Sequence, residues 1–225
     1  MSRIARLVGA RLGTLLRPLL GTPDALRRTA FAAIVANVGI VVTGGAVRLT
    51  GSGLGCPTWP RCTAGSYVAT GAMGVHGAIE FGNRTLTSVV GAVAVLGVIV
   101  AWLQRERIRA ALVPSVLVLI GVGIQAGLGG ITVHTELNPW TVAAHFLLSM
   151  ALLAAAYTFW RSTREGRSAW VAPPAMKALA VCLTAVSGTV LVLGTVVTGS
   201  GPHAGDHDDH VDDHRRQGNP PQRGW

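Results

Sequence analysis

Five runs of about twenty apolar residues, separated by short arginine-bearing segments, leave this chain few ways to fold. They cover roughly 30–49, 79–103, 111–133, 142–160 and 176–198. In lipid every backbone N–H and C=O needs a partner inside the protein, so runs of this length are helices. The predicted fold class is an all-α integral membrane protein. Its domain plan is a basic segment at 1–29, a four-helix transmembrane bundle at 30–160, a loop at 161–175 and a fifth transmembrane helix at 176–199. The fifth helix begins a second, incomplete bundle, and residues 200–225 form a His/Asp-rich tail.

Composition agrees with that reading. Half of the residues are hydrophobic and only 13% are charged, and the mean hydropathy is +0.47. A net charge of +9 would point to nucleic acid in a soluble protein. Here no basic face with interleaved aromatics exists, so nucleic acid is not an expected partner. The arginines sit mainly in loops, and a second use for the basic N-terminus is attraction to anionic lipid.

Lys and Arg set the orientation. Arg3, Arg6, Arg11, Arg17, Arg27 and Arg28 precede the first run; Arg105, Arg107 and Arg109 separate the second from the third. Arg161, Arg164, Arg167 and Lys177 lie around the loop joining the fourth and fifth. On the other side, the first loop has Arg48 and Arg61 and the stretch from His134 to Thr141 has none. The expected topology is a cytoplasmic N-terminus in a bacterial plasma membrane, with the loop holding Cys56 and Cys62, the 134–140 loop and the C-terminus outside. The N-terminal segment lacks the short apolar core and cleavage site of a signal peptide.

The tetrapeptide VVTG occurs at 41–44 and again at 196–199. It falls at similar places in two runs of the same direction, four spans apart. That suggests a four-helix unit followed by the start of a second copy. The stretch 206–225 has almost no apolar residues and can neither span a membrane nor build a core.

Polar residues cluster at the outer ends of the runs. His76, Glu80, Asn83, Arg84 and Thr87 follow helical spacing and form one stripe. A charge within the membrane costs roughly 2.5–3.5 kcal/mol at the bilayer centre, less near its surface, and favours a cavity or a partner. Glu80 either belongs to a site or forms an i,i+4 pair with Arg84 that anchors the helix. His145, near the outer end of the fourth run, is either a hydrogen-bonded interfacial histidine or a ligand for haem iron. Cys56 and Cys62 fall in an oxidising compartment, where a disulfide is the expectation. Such a pair serves structure, redox chemistry or a clamp on the loop. Cys182 reads as a small buried apolar residue. His134 and His203 read as solvated loop histidines. His207, His210 and His214 with the tail aspartates are a weak metal signal. Gly127, Gly129 and Gly130 allow close helix packing or a groove for a large flat ligand.

Several stretches resemble haem A synthase: 44–62 (GGAVRLTGSGLGCPTWPRC), 79–84 (IEFGNR), 127–134 (GLGGITVH) followed by His145, and 199–206 (GSGPHAGD). The likeness runs in order over about 30–206 and is closest to the actinobacterial branch of that family. It implies two similar four-helix bundles and oxidation of the haem O methyl group to a formyl group, giving haem A for cytochrome oxidase. It implies a substrate haem in the first bundle and haem b in the second. It also implies that Glu80 is the family's essential acidic residue, that Cys56 and Cys62 are its loop cysteine pair, and that His145 is its fourth-helix iron ligand. Arg48 and Arg84 become candidates for the haem propionates. Haem O synthase, cytochrome oxidase assembly factors and a second copy of the chain become candidate partners.

Two departures matter. Asn83 stands where many relatives have histidine, and an amide is a poor iron ligand. His76, two turns earlier, is the candidate replacement; an open iron position is the alternative. Spans six to eight and their haem b ligands are absent from this sequence, so the expectation is a homologue cut short after the fifth helix by a truncated gene or an altered reading frame. Competing expectations are a haem-binding chain without turnover and a quinone-linked thiol oxidoreductase using Cys56 and Cys62.

Overall fold

The computed structural model describes residues 20–106, 108–164 and 173–200. The segments 1–19, 165–172 and 201–225, with His203, His207, His210 and His214, lie outside the described residues.

Five helices are long and apolar enough to cross a membrane: α1 (Pro23–Leu49), α2 (Gly74–Leu103), α3 (Leu112–His134), α4 (Pro139–Ser162) and α5 (Pro174–Ser200). Among the described residues there is no strand, as the sequence predicts. The helices extend past the apolar runs because caps, not hydropathy, set their ends. Thr22 caps α1 by accepting the Ala25 N–H at 3.2 Å, and Pro23 follows, where a missing N–H costs nothing. Asn138 and Pro139 repeat this grammar at α4, with the Trp140 N–H at 3.0 Å from Asn138 Oδ1. The α1 helix therefore starts at 23 rather than 30; α2 starts at 74 rather than 79 without a side-chain cap.

Helices α1 to α4 close a ring in which α1 touches α2 and α4, and α3 touches α2 and α4. This is the up-down-up-down arrangement that short connections favour. Two buried clusters fill it. One, at the end distant from the cysteine loop, joins Leu26, Ala30 and Ala33 to Val100, Ala101 and Phe159. The other, at mid-bundle, joins Val90 and Ala94 to Val118, Val122, Leu152 and Ala156. Gln104 fastens the distant end by donating to the carbonyls of Leu20 (3.2 Å) and Thr22 (2.8 Å). Neither cluster reaches the cysteine-loop end, where Ser52 and Glu80 are among the buried residues.

Helix α5 has α4 as its one substantial neighbour among the described helices, and none of its most apolar stretch is buried. Cys182 is accordingly exposed, which corrects the expectation of a buried residue. An apolar run reads the same whether it faces lipid or a core, so composition could not separate the two. The repeated tetrapeptide does share local structure. Thr43 donates to the carbonyls of Gly39 (3.1 Å) and Ile40 (3.2 Å), and Thr198 to those of Gly194 (3.0 Å) and Thr195 (3.1 Å). Thr43 differs in also bonding a facing helix.

Candidate functional site

The cysteine loop, 50–73, folds back over the end of α2 and reaches α3. Cys56 and Cys62 are joined in a disulfide, and both are fully buried. Glu80, on the second turn of α2, is buried beneath this loop. Its Oε2 accepts the Cys56 N–H at 2.6 Å. Its Oε1 accepts from Arg84 Nε at 3.0 Å and from Arg84 Nη2. The i,i+4 pair foreseen from spacing is thus formed, but as a buried brace for the loop rather than an interfacial anchor.

Arg84 completes the brace. Nη1 donates to the carbonyls of Thr58 (2.6 Å) and Arg61 (3.2 Å), and Nη2 to that of Cys56 (2.8 Å). With the two bonds to Glu80, each of the five N–H donors of a guanidinium has an acceptor. No donor is left for a propionate. Arg48, half-buried in the last turn of α1, has no side-chain hydrogen bond or ion pair among the described residues. It keeps its full capacity for an anion.

The loop also docks on α3. A Cβ at Gly130 would lie 2.8 Å from Cδ2 of the Trp59 indole. Only a glycine admits the ring so close. A Gly130→Val variant is expected to unseat Trp59 and make the 50–73 loop several-fold more sensitive to protease, with helix content unchanged by circular dichroism. Equal protease resistance would show that Trp59 is not what holds the loop to α3.

The rest of the polar stripe divides between two faces. His76 is exposed, and its Nδ1 lies 2.9 Å from Ser52 Oγ, so it serves the loop. Asn83 Oδ1 accepts from Thr43 Oγ1 of α1 at 2.7 Å, which ties α1 to α2. Thr87 bonds back to the Asn83 carbonyl at 3.4 Å. The sequence placed these residues on one helical face; the structure gives them three different tasks.

His145 stands on α4 opposite α3. A Cβ at Gly129 would lie 3.3 Å from its Cε1, so this glycine makes room for the imidazole. Gln125, one turn earlier on α3, donates to the His145 carbonyl at 2.9 Å and to Ser149 Oγ at 2.5 Å. Ser149 in turn donates to that carbonyl at 3.0 Å. Yet the buried Nδ1 of His145 and the buried Oε1 of Gln125 have no partner. No hydrogen bond or ion pair joins His145 to Glu80 among the described residues. Sequence reasoning passed over Gln125 and Ser149. The signal was present: Gln125 is the one amide in an otherwise apolar run, and such a group is costly in lipid unless it has work to do.

The donor chemistry fits one axial imidazole. An imidazole with neither ring nitrogen hydrogen-bonded among the described residues, beside a glycine on the facing helix, has one nitrogen to offer a haem iron, whereas Asn83 has its oxygen occupied by Thr43. His76 lies on the loop side of α2, away from this face. Among the described residues no three metal-ligating side chains converge. Of the loop histidines, His134 ends α3 and is exposed.

The family model of the COX15-CtaA cytochrome oxidase assembly proteins matches residues 27–205. Among curated proteins, the chain is 30% identical to a heme A synthase of Alkalihalophilus pseudofirmus over 152 residues, covering 65% of this chain and 50% of that protein. It is 32% identical to a heme A synthase of Methylobacterium radiotolerans over 201 residues, covering 75% of this chain and 54% of that protein. A heme A synthase of Listeria monocytogenes is 32% identical over 117 residues, covering 51% and 38%. The chain spans about half the length of the first two relatives. No solved structure matches it. With five membrane-capable helices and a family match over most of its length, the chain is a multi-pass membrane member of the COX15-CtaA family of cytochrome oxidase assembly proteins.

Proposed function

We propose that this chain binds haem O through His145 and serves the oxidation of its methyl group to the formyl group of haem A, in a bacterial plasma membrane with the cysteine loop outside. The observation that carries this reading is the His145 imidazole, neither of whose ring nitrogens has a hydrogen-bond partner among the described residues, set beside Gly129 at the end of the bundle away from the two apolar clusters. In this reading the haem supplies the methyl carbon that reacts and the redox chemistry of its iron. The chain holds the iron with His145 and attracts a propionate with Arg48. The braced loop covers the mouth of the bundle and keeps water from the reacting edge. Glu80, the acidic residue singled out by resemblance, lies at that mouth and acts there through the loop that it holds. Haem b, haem O synthase, oxidase assembly factors and a second copy of the chain stay with the family expectation for the whole machine.

The test is haem extraction from a host that makes haem O but lacks haem A synthase. Formyl-bearing haem in cells carrying this chain supports the synthase reading. Haem O bound to the chain with no haem A formed makes it a binding protein.

Full burial of both cysteine sulfurs speaks against thiol–quinone chemistry, since exchange needs access to sulfur. A Cys56→Ser/Cys62→Ser variant is expected to lose about 2 kcal/mol of stability, the chain-entropy value for so short a loop, and to keep its haem. Loss of haem with stability intact would restore the thiol reading.

A further inference from the structure

Two buried polar atoms of complementary kind stand unpaired on the same facing turns of α3 and α4: Nδ1 of His145 and Oε1 of Gln125. The same Gln125 amide is fixed by its nitrogen to the His145 carbonyl (2.9 Å) and to Ser149 Oγ (2.5 Å). A buried donor or acceptor without a partner costs on the order of 1–3 kcal/mol. Two such groups on one pair of turns, in a lipid-embedded bundle, are an expense that packing alone does not explain.

The explanation lies in what happens when the histidine takes a metal. An imidazole that binds iron through Nε2 carries its proton on Nδ1, and that N–H needs an acceptor. The apolar clusters supply none, and the carbonyl of His145 is already taken by Gln125 and Ser149. Gln125 Oε1 is a buried side-chain acceptor at this level without a partner among the described residues. The Gln125 amide nitrogen already reaches the His145 carbonyl at 2.9 Å, and one water or a turn of the imidazole would be needed to close the pair.

We infer that Gln125 is the positioning residue of the haem site: its side-chain carbonyl accepts the Nδ1 proton of iron-bound His145 and so fixes the tautomer and the plane of the ring. The inference rests on the haem reading of His145 and adds the group that tunes it. Gly129 belongs to the same device, because the ring can turn toward Gln125 only where α3 has no side chain.

The test uses the full chain, purified with haem, and reads the midpoint reduction potential and the rate of haem loss to an acceptor protein. Gln125→Leu removes the acceptor. It is expected to raise the potential and to speed haem loss about tenfold, the lower end for removing an outer partner of a ligating histidine. Gln125→Glu supplies a stronger acceptor, makes the imidazole more electron-rich and is expected to lower the potential with haem retained. Ser149→Ala removes one of the two helix-to-helix bonds of Gln125 but leaves Oε1 in place, and is expected to leave the potential where it was. Opposite shifts in the two Gln125 variants, with none in Ser149→Ala, support the inference. Unchanged potentials and loss rates in both Gln125 variants overturn it, as does a Ser149→Ala shift equal to that of Gln125→Leu, which would make Gln125 a structural bolt alone. A chain without haem, or one whose haem is indifferent to His145→Ala, overturns the haem reading itself and this inference with it.

Discussion

Arg84→Ala is expected to lose about 3–5 kcal/mol of stability, the range for breaking a buried ion pair from one side, and to release the cysteine loop. The size follows from what is stranded. Glu80, with a side chain only 6% exposed, would keep a single hydrogen bond, that from the Cys56 N–H. The carbonyls of Cys56, Thr58 and Arg61 would lose their shared donor together. Lysine should restore little, because an ammonium has three donors and lacks the planar fork that reaches both Glu80 and the loop. Thermal unfolding in detergent measures the first effect. The second is read by reducing the disulfide with a membrane-impermeant reagent and tagging the freed thiols. Cys56 and Cys62 should react several-fold faster in the variant. Protection equal to that of the native chain would show that the loop is held elsewhere.

His145→Ala is expected to have the opposite profile, mild for the polypeptide and severe for the haem. The imidazole makes no hydrogen bond among the described residues, and its Nδ1 is buried. Removing an unsatisfied polar group returns part of its desolvation penalty, so the apoprotein should fold with near-native helix content. On the proposed reading a haem iron would lose its ligand, and most of the haem should be lost during purification. A His145→Gly variant supplied with free imidazole should recover part of it, because the ligand is replaced without its tether. Unfolding of His145→Ala would instead mean that the ring supports the bundle.

The membrane fold was legible from the runs alone, because lipid permits so few solutions for twenty apolar residues. Helix ends were less so: Thr22–Pro23 and Asn138–Pro139 carry the capping signal, and hydropathy is blind to it. The stripe from His76 to Thr87 was correctly placed on one helix. What spacing could not show is that a loop twenty residues away in sequence would fold back onto it, so that Glu80 and Arg84 bind backbone carbonyls and an amide of that loop. Backbone groups leave no trace in a sequence pattern. The same limit hid the tie between Gln125 and the His145 carbonyl. Cys182 was misread for a different reason, since lipid and protein interior select the same side chains.

The account stands on the proposal that His145 holds haem. The most direct measurement is the haem-to-polypeptide ratio of the purified full chain, determined after pyridine extraction, for the native sequence and for His145→Ala prepared side by side. The account predicts stoichiometric haem in the first and almost none in the second, with both equally folded. Equal haem in the two, or none in the native chain, would contradict it.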